Sequence, residues 1–119
     1  MPIHSDVKFV DIIRRHYLGI LHQAGVKIYF YTQSNLHSKG LMIDNKIFSI
    51  SSANFDYRSF RYQYELALIG EETSMIPQLR QHFDSTLKHC TSFNYQEWKN
   101  RSIFKRLSEV ILLPFRYLF

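Results

Sequence analysis

An amphipathic stretch that runs into a glycine and then a β-rich run most constrains how this chain folds. Over residues 6–24, apolar side chains recur at spacings of three and four, which predicts a helix with one face toward a core. That face comprises Val10, Ile13, Tyr17, Ile20, Leu21 and Ala24. Ser5 or Asp6 can cap the start of the helix, and Gly25 can end it. Val26–Tyr31, rich in β-branched and aromatic residues, then predicts a strand, and this helix–glycine–strand step is typical of α/β folds.

Three more strand-like runs follow, at residues 40–43, 46–51 and 64–69. Asp44–Asn45, between the first two, has the composition of a hairpin turn. Gly70 follows the third run and is expected to end it. The middle of the chain therefore predicts a small group of strands with at least one tight hairpin.

The C-terminal part returns to helical patterns. Residues 72–89 keep apolar side chains at helical spacing, and residues 94–119 predict one or two short helices broken near Pro114. A chain of 119 residues forms one domain at most. The order of helix, strands and helices predicts the α/β or the α+β class over residues 1–119.

The net charge of +5 is concentrated at the C-terminal end, where residues 99–119 hold five basic residues and only Glu109 as an acidic one. A basic end indicates an anionic partner, either lipid headgroups or nucleic acid. No apolar run approaches the roughly 18 residues needed to cross a bilayer. The N-terminal residues lack the basic and apolar regions of a signal peptide. A single cysteine, Cys90, excludes an internal disulfide and predicts no metal cluster.

The segment from His37 to Asn54 carries the residues with the clearest chemistry. His37 and Lys39 stand two positions apart, so on a strand they point to one face. The imidazole can attack phosphorus or transfer a proton near neutral pH, and the ammonium can stabilise charge on the non-bridging oxygens. Ser52 and Asn54 can offer a hydroxyl and an amide to the same phosphate. Because a lysine and hydrogen-bond donors supply the electrostatics, we expect neither a metal nor a cofactor.

Two carboxylates are further candidates for this site. Asp44 is either a turn residue or a catalytic residue. Glu65 lies in an apolar run, where a carboxylate needs a partner or takes a raised pKa. Its partner is either a histidine that it orients or, in a structural ion pair, Arg58 or Arg61.

Taken together, these residues resemble the motif of the phospholipase D superfamily, His-x-Lys-x-x-x-x-Asp followed after six residues by Gly-Ser-x-Asn. The motif at residues 37–44 matches at each defined position, and so do Ser52 and Asn54. Two positions depart from the family pattern: Ser51 stands where the family usually has glycine, and Gln63 where related synthases tend to have asparagine.

The flanking residues narrow this resemblance to the C-terminal half of bacterial cardiolipin synthases. They include the run Ala-Gly-Val-Lys-Ile-Tyr at 24–29, residues 52–60, Glu65 and the region from Trp98 to Arg101. The resemblance covers nearly the whole chain. It implies an α/β lobe with a mixed sheet flanked by helices, and this lobe lacks the first strand–helix unit of similar synthase halves.

The resemblance also implies a reaction, which is phosphatidyl transfer between phospholipids such as phosphatidylglycerol, giving cardiolipin and a released alcohol. Family members use two facing motifs, in one chain or across a homodimer. One histidine forms a phosphohistidine, and the other protonates the leaving alcohol and then activates the acceptor. The resemblance makes His37 the general acid and base, or, in a homodimer, gives His37 both roles, one per subunit. Lys39, Asp44 and Glu65 complete the expected catalytic set, with Ser52 and Asn54 binding phosphate.

Because the chain carries one motif, three arrangements remain open: a homodimer, a half that needs a partner chain, and an inactive fragment. A homodimeric nuclease is the alternative activity, since a pI near 9.4 permits binding to DNA. Against a nuclease, the basic residues do not form a stripe around the motif.

Residues 101–119 combine apolar and basic side chains in a pattern that suits peripheral contact with an anionic membrane, here the cytoplasmic side of a bacterial cell membrane. The alternative for this tail is ordinary core packing. Its apolar members are Ile103, Leu107, Val110, Ile111, Leu113 and Phe115, and its basic members are Arg101, Lys105, Arg106 and Arg116.

Overall fold

The computed structural model describes residues 1–2, 8–34 and 36–118 and confirms the predicted α/β class. Helices and strands alternate irregularly along the chain. In order they are α1 (Lys8–Gln23), β1 (Tyr29–Tyr31), β2 (Lys39–Ile43), β3 (Ile47–Ser51), α2 (Tyr57–Tyr62), β4 (Ala67–Gly70), α3 (Met75–Leu87), β5 (Cys90–Ser92), α4 (Tyr95–Lys99) and α5 (Ile103–Leu112), followed by a 3₁₀ helix, η1 (Leu113–Leu118).

Helix α1 ends as predicted at a glycine. Gly25 has a φ of +87°, in the left-handed region that favours glycine. Its amide donates to the carbonyl of His22, and the amide of Val26 donates to the carbonyl of Leu21, both at 3.0 Å. This paired pattern is a Schellman motif, which satisfies carbonyl groups that the helix end would otherwise leave open. The predicted caps, Ser5 and Asp6, lie outside the described residues.

The buried face of α1 differs from the predicted one. Ile13 is buried as expected, whereas Ile20 and Leu21 are 49% and 42% exposed. Leu18 and Gly19, which the apolar spacing did not select, are buried instead. Gly19 is buried because the ring of Trp98 in α4 lies against it, and both α4 and α5 pack on α1.

The strands form two small antiparallel sheets, one with the order β2–β3–β4 and the other pairing β1 with β5. Both β1 and β4 begin three residues later than predicted. Strand β1 pairs with β5, which is only three residues long. Strand β4 begins at Ala67 because its partner, β3, ends at Ser51. Gly70 is the last residue of β4 and faces Phe48, where an added Cβ would lie 3.0 Å from the aromatic ring.

The predicted turn at Asp44–Asn45 connects β2 to β3. Both residues have positive φ, 51° and 54°, and the amide of Lys46 donates to the carbonyl of Ile43 at 2.9 Å. Two successive left-handed residues are the signature of a type I′ turn, whose twist matches that of the paired strands, and Asn and Asp tolerate this conformation well. The turn fixes the register, in which Lys39 lies opposite Ser51.

Two elements were not predicted. Helix α2 begins after Asp56, whose carboxylate accepts a hydrogen bond from the amide of Ser59 at 2.7 Å and so caps the helix. Strand β5 is too short for periodicity to reveal, and it is stabilised by pairing with β1 at Tyr29–Tyr31.

The tail is joined to α1 through a buried cluster of charged and aromatic side chains. Glu109 of α5 is fully buried, and both of its oxygens accept hydrogen bonds from the guanidinium of Arg101, at 2.9 and 2.8 Å. The same guanidinium stacks over the ring of Trp98 at 3.8 Å. The Trp98 indole donates to the carbonyl of Arg15 at 2.7 Å, which links the cluster to α1. A bidentate pair of this kind satisfies a carboxylate that could not be buried alone.

The tail has the predicted form, short helices with a break near Pro114 where α5 gives way to η1. None of the helices in the described parts of the chain is long and apolar enough to cross a membrane.

Replacement of Gly19 by alanine sets two effects against each other. Alanine favours a helix over glycine by about 1 kcal/mol. An added Cβ would, however, lie 2.1 Å from Cζ2 of Trp98, so the indole must move. We expect a net loss of about 2 kcal/mol in the free energy of unfolding, measured by urea denaturation.

The control is the same substitution in a Trp98→Ala background. There the obstruction is gone, so Gly19→Ala should become neutral or stabilising by up to about 1 kcal/mol. Equal effects in both backgrounds would contradict the packing of Trp98 on α1.

Candidate active site

The structure brings the predicted pair His37 and Lys39 together. His37 precedes β2 and is exposed, and Lys39 is the first residue of that strand and is half-buried. The Nζ atom of Lys39 lies 2.9 Å from both Nδ1 and Nε2 of the imidazole. The ammonium is therefore equally close to both ring nitrogens.

This contact restricts what each group can do. A neutral imidazole accepts a hydrogen bond at one nitrogen only, and the other nitrogen carries the hydrogen. Lys39 uses one of its three N–H groups on His37, which leaves donors for an incoming anion. A phosphate ester at this exposed position can therefore meet a cation and a proton-transfer group within one hydrogen-bond length of each other.

Ser52 and Glu65 form the second pair, at the end of β3. The Ser52 amide donates to the carbonyl of Leu66 at 2.9 Å, and the Leu66 amide donates to Oγ of Ser52 at 3.0 Å. The Ser52 hydroxyl in turn donates to Oε2 of Glu65 at 2.5 Å. The serine thereby continues the pairing of β3 with β4 by one residue, and its hydroxyl is held by the carboxylate.

The sheet register places both pairs at one end of the three-stranded sheet. Lys39 is the Cα partner of Ser51, and Ser51 is the partner of Ala67. His37 thus lies just before one strand, while Ser52 and Glu65 lie just beyond the paired ends of its neighbours. Among the contacts of the described residues, none joins His37 or Lys39 to Ser52 or Glu65, so a bound substrate would have to bridge the two pairs.

Glu65 occupies a different environment from the one predicted. It precedes β4 and is exposed rather than enclosed in an apolar strand, and its neighbours Tyr64 and Leu66 are also exposed. Of the described residues, its hydrogen-bond partners are Ser52 and Gln63, and neither the orienting contact with a histidine nor a direct ion pair with arginine is present.

Gln63, one of the two departures from the family pattern, connects Glu65 to α2. In the amide orientation that satisfies both of its ends, Gln63 donates to Oε1 of Glu65 at 3.1 Å and to the hydroxyl of Ser59 at 3.2 Å. Its carbonyl accepts from Nε of Arg58 at 3.2 Å. The longer glutamine side chain therefore spans the distance between helix and carboxylate, a positioning role that sequence analysis did not assign to it.

Asp44 and Asn54 lie apart from these pairs. Asp44 is in the hairpin turn, separated from Lys39 by the length of β2, which is about 16 Å for an extended chain of this length. This position favours its turn role over direct contact with substrate. Asn54 is exposed in the loop after β3, near the position of Ser52 in the chain.

Two exposed aromatic residues follow Asn54 in the chain, Phe55 in the loop and Phe60 in α2. Phe55 is 94% and Phe60 62% exposed, and the two rings pack edge to face with centroids 5.3 Å apart. Phe55 and Phe60 thus form a small apolar patch that is open to solvent.

Comparison with known proteins gives a family match and similar curated proteins that agree with each other. The profile of the family described as "Cardiolipin synthase, PLD-like domain" matches residues 2–87. Similar curated proteins include the cardiolipin synthase of Clostridium perfringens (strain SM101 / Type A), 34% identical over 112 residues that cover 94% of this chain and 24% of that protein. Cardiolipin synthase 1 of Bacillus anthracis is 34% identical over 108 residues, which cover 91% of this chain and 21% of that protein.

A third relative, the cardiolipin synthase of Alkalihalophilus pseudofirmus, is 35% identical over 109 residues, which cover 92% of this chain and 22% of that protein. The chain thus spans about a quarter, or slightly less, of the length of the curated relatives that it matches. No solved structure matches it at a significant level.

The hydrogen bonds of Ser52 predict a local effect on stability. Ser52→Ala removes the donor to Glu65 and the acceptor for the Leu66 amide, so the free energy of unfolding should fall by about 1 kcal/mol. Ser51→Ala is the matched control, because that hydroxyl makes only a long bond of 3.4 Å to the carbonyl of Ala53. A Ser51 variant as destabilised as the Ser52 variant, in urea denaturation, would contradict this geometry.

Proposed function

Because this chain belongs to the cardiolipin synthase, phospholipase D-like domain family, we propose that residues 37–65 form one half of an active site for phosphatidyl transfer. The observation that carries the proposal is the contact between Lys39 and His37, with Nζ 2.9 Å from the imidazole nitrogens. The substrates are phospholipids with a phosphodiester that joins a phosphatidyl group to an alcohol, phosphatidylglycerol among them.

In this half-site His37 is the group that moves protons. As general acid it donates a proton to the oxygen of the departing alcohol while the phosphorus–oxygen bond breaks. As general base it then takes the proton from the hydroxyl of the acceptor alcohol, whose oxygen attacks the same phosphorus. Lys39 donates hydrogen bonds to the non-bridging oxygens, where negative charge is concentrated in the transition state.

The remaining residues hold the phosphate and the geometry. Ser52 and Asn54 donate hydrogen bonds to phosphate oxygens. Glu65 orients the Ser52 hydroxyl until a phosphate oxygen takes over as its acceptor. Asp44, for which the resemblance implies a catalytic role, contributes through the turn that sets the register of β2 and β3.

A second motif supplies the nucleophile. Its histidine attacks phosphorus and forms a phosphorus–nitrogen bond as the first alcohol leaves, and the acceptor alcohol later breaks that bond. We propose that this motif comes from a second copy of the chain or from a partner chain. In a homodimer His37 performs both roles, one in each copy.

Two surfaces support a lipid substrate. Phe55 follows Asn54 in the chain and packs on Phe60, and acyl chains or a bilayer can cover these exposed rings. Residues 101–119 hold four basic residues against Glu109 alone, which suits peripheral contact with anionic lipid on the cytoplasmic side of a bacterial cell membrane.

His37→Ala gives the direct test. Purified chain is incubated over a range of concentrations with phosphatidylglycerol vesicles and, separately, with plasmid DNA, while the oligomeric state is measured by light scattering. We expect lipid turnover that depends on dimer formation or on an added partner half. His37→Ala should lower this turnover at least about 100-fold while circular dichroism stays unchanged.

His82→Ala is the matched control, because His82 is exposed on α3, outside residues 37–65. Its turnover should equal that of the wild type. Cleavage of plasmid without lipid turnover, or turnover near the wild-type level in the His37 variant, would contradict the proposal.

A further inference from the structure

Helix α5 is oriented against the usual rule for amphipathic helices. Its one acidic residue, Glu109, points inward and is fully buried, whereas five of its six apolar residues are exposed. The exposed fractions of the apolar side chains are 71% for Ile103, 79% for Phe104, 55% for Leu107, 57% for Val110 and 59% for Ile111. At 3.6 residues per turn these five positions fall on one face, which we term the α5 stripe.

The ion pair at the base of the helix explains this orientation. Arg101 precedes α5, and its bidentate bonds hold the Glu109 carboxylate on the inner side, toward His16 of α1 at 4.0 Å. Rotation of α5 to bury the α5 stripe would expose or unpair Glu109 and Arg101. Breaking a buried pair of this kind is strongly unfavourable, so the stripe stays outward.

The charges around the α5 stripe have one sign. Glu109 is the only acidic residue from 99 to 119, and it is buried and paired. The exposed charged side chains of this region are therefore all basic. They are Lys99, Lys105, Arg106 and Arg116.

We propose that α5 lies in the interfacial layer of an anionic bilayer, with the α5 stripe toward the acyl chains and the Arg101–Glu109 pair fixing that face outward. This inference rests on the peripheral contact proposed above and adds the surface, its orientation and the residues that set it. Because the exposed charged residues of this region are all basic, an apolar face among them matches a surface that is apolar inside and negatively charged outside. The apolar face of a protein partner would match the stripe but would leave these four cations without counter-charges.

Vesicle binding tests the surface. Full-length chain is sedimented with vesicles of phosphatidylcholine alone or with 30% phosphatidylglycerol, a composition chosen to bracket a moderate surface charge at about 0.1 M salt. We expect binding to the anionic vesicles that weakens as salt is raised, and at least about tenfold weaker binding of Leu107→Asp, which loses an inserted apolar group and gains a negative charge.

Phe83→Asp is the matched control, because Phe83 of α3 is 52% exposed, close to the 55% of Leu107, and the charge change is identical. It should bind nearly as well as the wild type. Absence of wild-type binding to anionic vesicles, or equal loss of binding in the two variants, would overturn the inference.

A second measurement tests the orientation. Trp98 is the only tryptophan and gives a constant background, so an added tryptophan reports its own depth. Leu107→Trp, within the stripe, should be quenched by lipids brominated on their acyl chains, whereas Lys105→Trp, on another side of α5, should not. Equal quenching of the two would overturn the orientation.

The outcome for α5 is separable from that for the half-site. Turnover of phosphatidylglycerol in detergent micelles does not require docking on a bilayer. If the Leu107→Asp variant keeps its turnover in micelles and also binds vesicles normally, the inference about α5 is overturned and the half-site is not affected. If the His37→Ala variant loses turnover in micelles but binds vesicles normally, the result bears on the half-site and not on α5.

Discussion

The antiparallel pairing of β2 with β3 is the constraint on which the half-site depends. It sets Lys39 opposite Ser51, and thereby places His37 and Ser52 at the same end of the sheet although 15 positions separate them along the chain. Side chains alternate between the faces of a strand, so a slip of one residue would turn Lys39 to the other face. The type I′ turn at Asp44–Asn45 prevents that slip by fixing the hairpin loop.

A second buried interaction organises the C-terminal tail of the chain. The Arg101–Glu109 pair, stacked on Trp98, joins the tail to α1 and at the same time decides which side of α5 remains in solvent. The sheet and the tail therefore present different surfaces. The sheet end presents polar groups that can act on a phosphate ester, while the tail presents apolar groups framed by positive charge. A phospholipid in an anionic bilayer offers counterparts to both surfaces.

Sequence patterns predicted those features that local chemistry determines. The end of α1 at Gly25, the turn at Asp44–Asn45 and the contact between His37 and Lys39 depend on residues close together in the chain, and the structure contains all three. Sequence patterns were less informative where contacts between distant residues determine which side chains are buried. Gly19 is buried because Trp98 of α4 packs against it, and Glu65 is exposed because it precedes β4, most of whose residues are themselves exposed.

Buried charge is the other feature that periodicity cannot reveal. Glu109 looks like an ordinary solvated glutamate within a helix, and only the guanidinium of Arg101, eight residues earlier, makes its complete burial possible. The sequence analysis named four apolar residues of α5 but not Phe104, and it left open whether they pack inward or face outward, which depends on that pair.

Binding of vanadate, followed by nitrogen NMR of the histidine side chains, tests the central claim most directly, because it needs neither a second motif nor a membrane. Vanadate resembles a phosphoryl group in transfer and can take a fifth ligand. If residues 37–65 form a phosphate half-site, the imidazole resonances of His37 should shift on titration, those of His82 should not, and Lys39→Ala should abolish the shift. Shifts of all six histidines alike, or none at His37, would contradict it.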